Sequence, residues 1–225
     1  MSPIRIMTAN LWAHKVDVDG FGALIDRVDP DVLAVQELQV PAAAEVMARY
    51  RYHGLVAHHD TLGNGIATRF PAAITRLPMA YRSGWSARLD PAGWPGLTVP
   101  LEVLCVHLGN PVTFPWWRAV DRRRRQLADL LPRLDTGDGL VVVGDFNATP
   151  RWPVYRALAD QLGDGPVESG AAAPTWSWHG VGPPLLRIDH ALTRGVTTLR
   201  SETHRIPGSD HRALVVEVAE SGLEA

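Results

Sequence analysis

The feature that most constrains this fold is a short apolar run that ends abruptly in polar residues. Residues 140–143 read Leu-Val-Val-Val, which is typical of a strand buried on both faces, and Gly144-Asp145-Phe146-Asn147 follows at once. On an extended backbone Asp145 and Asn147 point to the same side, because they are two residues apart. A carboxylate and a carboxamide at the end of a core strand suit a hard cation such as Mg²⁺ and a phosphate oxygen.

Polar residues recur where other predicted strands end or begin. They are Asn10, Glu37, His107, Asp210 and His211, while Asp189 stands within a predicted strand over residues 185–192. A single aspartate or histidine of this kind is usually solvated or structural. Because several buried strands terminate in such groups, we expect the groups to share one rim of the sheets and to form an active site there.

Hydrophobic periodicity predicts a strand-rich α/β fold of about ten strands and four helices. Helices are expected over residues 21–28, with Asp19 as the N-cap, and over residues 117–134. Two packed sheets with helices outside them are the simplest way to bury so many strands. Since no linker or change of composition divides the chain, residues 1–225 are predicted to form one domain.

Charge and cysteine content exclude several classes of protein. The net charge of −2 provides no overall attraction to nucleic acid, so a polyanionic substrate would need a local basic patch. The only cysteine, Cys105, lies in an apolar stretch, which excludes an internal disulfide and a cysteine metal cluster. No stretch is apolar and long enough to predict a transmembrane segment, and no signal peptide is recognisable. We expect a cytoplasmic monomer.

Seven short segments occur in the order of a known family. The chain resembles the endonuclease/exonuclease/phosphatase superfamily, which includes deoxyribonuclease I and exonuclease III. The segments are Thr8-Ala9-Asn10, Gln36-Glu37, Gly65-Ile66-Ala67-Thr68-Arg69, Val106-His107, Gly144-Asp145-Phe146-Asn147, Arg187-Ile188-Asp189-His190 and Ser209-Asp210-His211. The resemblance implies an α/β fold, a four-layer αββα sandwich in which two packed mixed β-sheets are flanked by helices. It also implies phosphoester hydrolysis that depends on Mg²⁺ or Mn²⁺.

The resemblance further implies a metal site built from three residues. Glu37 matches the principal metal ligand, Asn10 matches a residue of the metal and phosphate site, and Asp210 matches a second acidic group near the metal. Carboxylate oxygens are the ligands that Mg²⁺ prefers.

Five more residues match catalytic positions of the family. Asp145 matches the residue that binds or orients the attacking water, and Asn147 matches a phosphate or metal contact. His211 matches the catalytic histidine with Asp189 as its orienting carboxylate, and His107 matches a histidine that contacts the scissile phosphate. These types suit hydrolysis by a metal-activated water, in which the cation neutralises the phosphate and side chains move protons.

One expected partner is missing from the sequence. Some relatives pair the histidine at the position of His107 with a glutamate, but residues 61–82 contain none, so Asn64 is the candidate substitute or the pair is absent. Asn110 and Trp176 are the predicted substrate contacts, since both stand close to catalytic segments.

Two further features have more than one interpretation. The four arginines at 122–125 are interpreted as a solvated helix face in preference to a phosphate-binding patch. Trp116 and Trp117 either stack on bases, touch a lipid interface, or pack at the start of the helix.

The predicted function is a divalent-metal-dependent phosphodiester hydrolase, with a nuclease that cleaves DNA or RNA as the favoured form. The alternative is a phosphatase or phosphodiesterase that acts on lipid or small-molecule phosphates, such as lipid pyrophosphates or inositol phosphates. A non-catalytic binding module is disfavoured, because every expected acidic ligand and both histidines are present.

Overall fold

The computed structural model describes residues 2–135, 137 and 139–221. This part of the chain forms twelve strands and five helices. The strands are β1 Ile4–Asn10, β2 Val32–Gln36, β3 Tyr52–Val56, β4 Asn64–Thr68, β5 Ala72–Met79, β6 Arg82–Leu89, β7 Leu101–His107, β8 Gly139–Asp145, β9 Gly163–Asp164, β10 Asp189–Arg194, β11 Val196–Arg205 and β12 Arg212–Glu220. The helices are α1 Val18–Val28, α2 Val40–Arg49, α3 Trp116–Leu130, α4 Pro153–Ala159 and α5 Gly165–Glu168.

The strands form two six-stranded mixed sheets. The first sheet has the order β11-β12-β1-β2-β4-β3, and the second has the order β5-β6-β7-β8-β10-β9. Each sheet contains one parallel pair, β1 with β2 and β7 with β8, among antiparallel neighbours. The predicted α/β fold with two packed mixed sheets and flanking helices is confirmed.

Three apolar clusters hold the layers together. One cluster lies between the sheets and includes Ile6, Val103 and Val141. A second joins the first sheet to α1 and α2, and a third joins the second sheet to α3 and α4. Each sheet therefore buries both faces, which explains why its central strands are apolar throughout instead of alternating. None of the described helices is long and apolar enough to cross a membrane.

Two predicted boundaries differ from the structure. Helix α1 begins at Val18, and its N-cap is Asp17 rather than Asp19, because Asp17 is extended and its side chain accepts the Gly20 N–H. The strand predicted over residues 185–192 begins only at Asp189, because the backbone before it pairs with Trp176 through an isolated bridge. The one-domain prediction over 1–225 stays a prediction, and residues 1, 136, 138 and 222–225 lie outside the described residues.

Strand pairing brings the polar strand ends together at one edge. In the parallel pair of β7 and β8, His107 lies beside Asp145, and in the antiparallel pair of β8 and β10, Asp189 lies on the other side of Asp145. Gly144 permits this close approach: it has a φ of 141°, and a Cβ there would lie 1.9 Å from the Val106 carbonyl oxygen.

Candidate active site

The edge where these strand ends meet opens into a cavity of about 600 Å³. Most of the predicted site residues line it: Glu37, His107, Asn110, Asp145, Asn147, Trp176, Asp210 and His211. The two others, Asn10 and Asp189, are buried directly behind the wall, where each contacts a residue that lines it. The structure therefore brings together the ten residues predicted as catalytic, metal-binding or substrate-binding.

Asp145 lies at the centre of this arrangement and is almost fully buried. Its Oδ1 accepts the backbone N–H of Asn147 at 2.7 Å, and its Oδ2 accepts the side-chain amides of Asn147 at 2.9 Å and Asn10 at 3.0 Å. The prediction of an extended backbone at Asn147 is wrong. Asn147 has a φ of 48°, which folds it back so that it holds the carboxylate of Asp145 instead of pointing alongside it.

His211 forms a charged pair on one side of Asp145. Its Nδ1 lies 2.8 Å from Asp189 Oδ2, and its Nε2 lies 4.0 Å from Asp145 Oδ2. Burial lowers the pKa of His211, but the carboxylates of Asp189, Asp145 and Asp210 outweigh burial and raise that pKa to about 10. The Thr175 hydroxyl accepts the Asp189 N–H at 3.1 Å and fixes the start of β10. His211 is therefore an imidazolium at neutral pH.

His107 lies on the other side of Asp145, with its Nε2 at 3.5 Å from Asp145 Oδ2. Its Nδ1 accepts a hydrogen bond from Arg82 Nη1 at 2.8 Å. Burial, with the charges of Arg82 and His211, holds the pKa of His107 well below 6.5. His107 is therefore neutral, and because Arg82 occupies Nδ1, its proton is on Nε2 and faces the cavity.

Asn64 does not replace the missing glutamate partner. Its side-chain amide donates to the Ser83 carbonyl, and its side-chain oxygen accepts the Trp85 indole N–H at 2.9 Å. Both contacts lie between the sheets, because Asn64 points into the core beside β6. The partner of His107 is Arg82, which has the opposite charge to the expected glutamate.

Two carboxylates have the free oxygens that a cation needs. Glu37 Oε2 and Asp210 Oδ1 are buried without a hydrogen-bond partner among the described residues. Burial raises the pKa of both carboxyl groups and outweighs the charge of His211, which lowers both pKa values. Glu37 has a φ of 56° just after β2, a strained conformation that is common at functional sites. These two carboxylates fit the donor set that a divalent cation prefers, and a cation held by them would offset the buried negative charge.

Asn10 supports these carboxylates through its amide. Its Nδ2 donates to Asp145 and also lies 3.4 Å from Glu37 Oε1, while its Oδ1 accepts the Trp12 N–H at 3.0 Å. The predicted metal-site residue therefore connects the proposed cation ligand Glu37 with Asp145.

The predicted substrate contacts lie on the cavity wall. The Trp176 indole donates to Asp210 Oδ2 at 2.8 Å, and Trp176 lines the cavity. Asn110 accepts the Val112 N–H at 2.9 Å and shapes the loop after β7. The remaining apolar wall is formed by Trp12, Pro111, Val112, Trp152, Trp178, Leu186 and Ile188.

Comparison with known proteins places this geometry in a family. The model of the Endonuclease/Exonuclease/phosphatase family matches residues 7–211. The chain belongs to this family. No curated protein sequence matches the chain.

Several solved structures share the fold of this family member. An endonuclease/exonuclease/phosphatase from Beutenbergia cavernae DSM 12333 is 20% identical, with a TM-score of 0.78 over 99% of this chain and 72% of that chain. The 3′ phosphatase NExo from Neisseria, bound to a product DNA hairpin, is 18% identical, with a TM-score of 0.71 over 95% and 98%. Sphingomyelinase C from Streptomyces griseocarneus is 14% identical, with a TM-score of 0.67 over 96% and 99%. These identities show a shared fold.

Two arginines of this Endonuclease/Exonuclease/phosphatase family member contact site residues that the sequence does not predict them to reach. Arg82 is at the start of β6, and nothing in its local sequence indicates that it reaches His107. The prediction of a solvated helix face is wrong for Arg123, which is buried and donates to the Gly109 carbonyl at 2.6 Å and the Asn147 carbonyl at 3.0 Å. Burial of Arg123 was detectable in principle, because it shares a helix face with Ala119 and Leu130, which are also buried.

Proposed function

We propose that this chain is a divalent-metal-dependent phosphodiester hydrolase in which Asp145 accepts the proton of the attacking water. The observation that carries this proposal is the position of Asp145 Oδ2, which lies 3.5 Å from the Nε2 of His107 and 4.0 Å from the Nε2 of His211. A carboxylate between a neutral and a charged imidazole can accept one proton while two N–H groups contact the phosphate.

The side chains divide the reaction between them. The water oxygen attacks phosphorus as its proton passes to Asp145, whose pKa is raised to about 7 chiefly by burial. His107 and His211 donate hydrogen bonds to the phosphate oxygens, where charge develops. As the ester bond breaks, His211 gives its Nε2 proton to the leaving oxygen. Asp189 holds the His211 ring in the orientation that this transfer requires.

Glu37 and Asp210 are the residues that would hold the cation, with Asn10 positioning Glu37. When bound, Mg²⁺ or Mn²⁺ supplies charge neutralisation at the phosphate and lowers the pKa of water.

Nucleic acid is the substrate that the sequence favours. Trp176 and the neighbouring indoles of the cavity wall offer faces on which bases stack. The Neisseria 3′ phosphatase of the same fold is described with a DNA hairpin. A nuclease of this kind would hold the phosphate at His107 and His211, and the flanking bases along the wall.

A phosphate ester of a lipid is the second candidate, and the lining of the cavity favours it. Among the described residues only one arginine, Arg82, lines the cavity, whereas most of the wall is apolar. A nucleic acid has several phosphates that need cationic partners, but a lipid phosphate has one phosphate and an apolar body. The streptomycete relative of the same fold is a sphingomyelinase.

The test is a hydrolysis screen. The protein is incubated with bis-p-nitrophenyl phosphate, plasmid DNA, single-stranded DNA, RNA and lipid phosphates in the presence of Mg²⁺, Mn²⁺ or EDTA. We expect turnover of the synthetic diester and of one natural class with metal, and none with EDTA.

Asp145→Asn keeps the shape of the side chain but removes the proton acceptor, so we expect turnover to fall by at least about 10³-fold. Asp160→Asn, at an exposed position after α4, is the matched control and should turn over normally. Full activity of the Asp145→Asn protein, or turnover that survives EDTA, would contradict the proposal.

A further inference from the structure

The segment between β7 and α3 exposes an unusual group of aromatic side chains. Phe114, Trp116 and Trp117, which we call the aromatic tip, have exposed fractions of 82%, 63% and 55%. Helix-entry packing, one interpretation of the two tryptophans, therefore does not hold them against the core. Large apolar groups that remain in water as a cluster usually mark a binding surface.

The aromatic tip is an ordered cluster of its own. The ring centroids of Phe114 and Trp117 lie 6.1 Å apart, and those of Trp116 and Trp117 lie 5.9 Å apart, both in edge-to-face contact. Val112 and Val120 are also exposed and extend the apolar surface to either side in sequence. The rings thus contact one another while one side of the cluster faces solvent.

Cationic side chains follow the aromatic tip along α3. Helical spacing places Arg124 on the same face as Trp117, seven residues earlier, and Arg118 and Arg125 are exposed beside it. Asp121 pairs with Arg125 at 2.9 Å. Within the described part of the chain no carboxylate pairs with Arg118 or Arg124. The face therefore has an apolar end and a cationic stem, the pattern of a helix that binds an anionic membrane surface.

The aromatic tip is adjacent to the mouth of the active-site cavity. Residues 110–113, directly before it, form part of the cavity wall. Trp178 and Leu186 also line the cavity, and Val181 and Leu185 are exposed in the loop that joins them. Two separate segments with exposed apolar groups thus adjoin residues that line the cavity, so a surface that covered the aromatic tip would lie next to the cavity.

We propose that the aromatic tip and the arginines of α3 dock the protein on an anionic lipid surface, with the cavity facing the headgroups. This inference rests on the proposed phosphoester hydrolysis and selects lipid phosphates as its substrate class. Trp117 and its neighbours insert at the level of the headgroups, and Arg118 and Arg124 contact anionic lipids. A phosphate ester then enters the cavity with its apolar part along the indole wall.

The aliphatic side chains favour a membrane over single-stranded nucleic acid as the occupant. Bases stack on aromatic faces, but Val112, Val181 and Leu185 have none, and they gain free energy only by leaving water. A bilayer covers aromatic and aliphatic groups equally well.

The test is sedimentation of the whole protein with vesicles of phosphatidylcholine alone, or with about one third phosphatidylserine. We expect binding to the anionic vesicles with a blue shift of tryptophan fluorescence. The double variant Phe114→Ala/Trp117→Ala should bind at least about tenfold less. Arg118→Gln and Arg124→Gln should each weaken binding to anionic vesicles by about fivefold.

The matched control removes exposed apolar groups elsewhere, with Val40→Ala/Leu199→Ala, and should bind normally. Turnover of bis-p-nitrophenyl phosphate should be unchanged in all variants, because none of the substituted residues lines the cavity. Equal vesicle binding by the tip variant and the control, or a fluorescence response to single-stranded DNA in place of vesicles, would overturn the docking surface. Vesicle binding is measured without substrate, so absent turnover would contradict only the hydrolase.

Discussion

The two histidines beside Asp145 lie at similar distances from it, but their surroundings make His107 neutral and His211 positively charged. His211 contacts Asp189 through Nδ1, and its pKa rises to about 10. His107 accepts a hydrogen bond from Arg82 at its own Nδ1, and the pKa of His107 falls well below 6.5. Both rings present an Nε2–H to the cavity, so they differ in the charge of the ring that carries this proton.

This contrast assigns different tasks to chemically identical side chains. His211 can give up a proton and remain a neutral base afterwards, whereas His107 can only donate a hydrogen bond. The residue at Nδ1 decides which histidine is the acid. It is the carboxylate of Asp189 for His211 and the guanidinium of Arg82 for His107. The contrast can be tested by exchanging each ring or each partner for a group that keeps its shape.

The largest effect should come from exchanging the rings for glutamine, whose amide places a neutral N–H donor near the position of Nε2. His107→Gln keeps a neutral donor, so we expect kcat for bis-p-nitrophenyl phosphate to fall by only about tenfold. His211→Gln removes the charge and the transferable proton, so we expect a fall of about 10³-fold with a natural diester, whose alkoxide leaving group needs that proton, and a smaller fall with the synthetic diester.

The two variants are each other's control, since both replace a buried imidazole with the same side chain. Equal losses of kcat in the two variants would contradict the division of roles, because they would mean that both rings do the same task. A larger loss for His107→Gln would reverse the assignment of the acid.

A smaller effect is expected from exchanging the partners. Asp189→Asn removes the carboxylate that keeps His211 charged, and we expect kcat to fall by about 10²-fold. Arg82→Met removes a donor from a ring that is already neutral, and we expect a fall of about tenfold.

The controls are Asp160→Asn and Arg76→Met, which make the same chemical changes at exposed positions. Steady-state kinetics with the synthetic diester gives both ratios. A loss for Arg82→Met that exceeds the loss for Asp189→Asn would mean that the charge of Arg82 acts on the substrate directly.

His190 provides the smallest and most independent check, because it follows Asp189 but faces the other side of the sheet. It is fully buried between Phe146 and Tyr155, and its Nε2 lies 2.7 Å from the Ala148 carbonyl oxygen. Burial lowers its pKa from 6.5 to about 4. We expect His190→Gln to change kcat by less than about twofold, since the residue does not reach the cavity.

The pH dependence of stability is where His190 should be visible. Between pH 6.5 and about 4 the unfolded chain binds a proton at His190 that the native state does not, so the free energy of unfolding falls as the pH falls. The full effect is about 3 kcal/mol. Urea unfolding of His190→Gln should therefore show a flatter decline over this range. An unchanged slope would mean that His190 is already charged in the native state.

The strand positions were predictable from the sequence because buried strands carry a strong apolar signal. Residues 140–143 do not alternate between apolar and polar side chains, which predicts a strand buried on both faces, and β8 is buried throughout. The boundaries were harder. Two aspartates stand where α1 begins, and only backbone geometry distinguishes the cap Asp17 from Asp19 in the first turn.

The residues of the site that stand at strand ends were predictable from the sequence. The side-chain contacts between neighbouring strands were not. Asp145, His211 and Glu37 stand at positions that topology brings together. Arg82 reaches His107 from an adjoining part of the second sheet, and no local pattern encodes that contact. The backbone at Asn147 also departs from the strand geometry that the sequence implied, because asparagine is enriched in the left-handed region but does not require it.

The most direct test of the central claim is nitrogen NMR of protein labelled with ¹⁵N-histidine, in EDTA near neutral pH. His107→Gln and His211→Gln assign the two rings by the loss of their signals. We expect both ring nitrogens of His211 to be protonated and His107 to carry a proton on Nε2 alone. A charged His107, or the same protonation state for both rings, would contradict the division of tasks around Asp145.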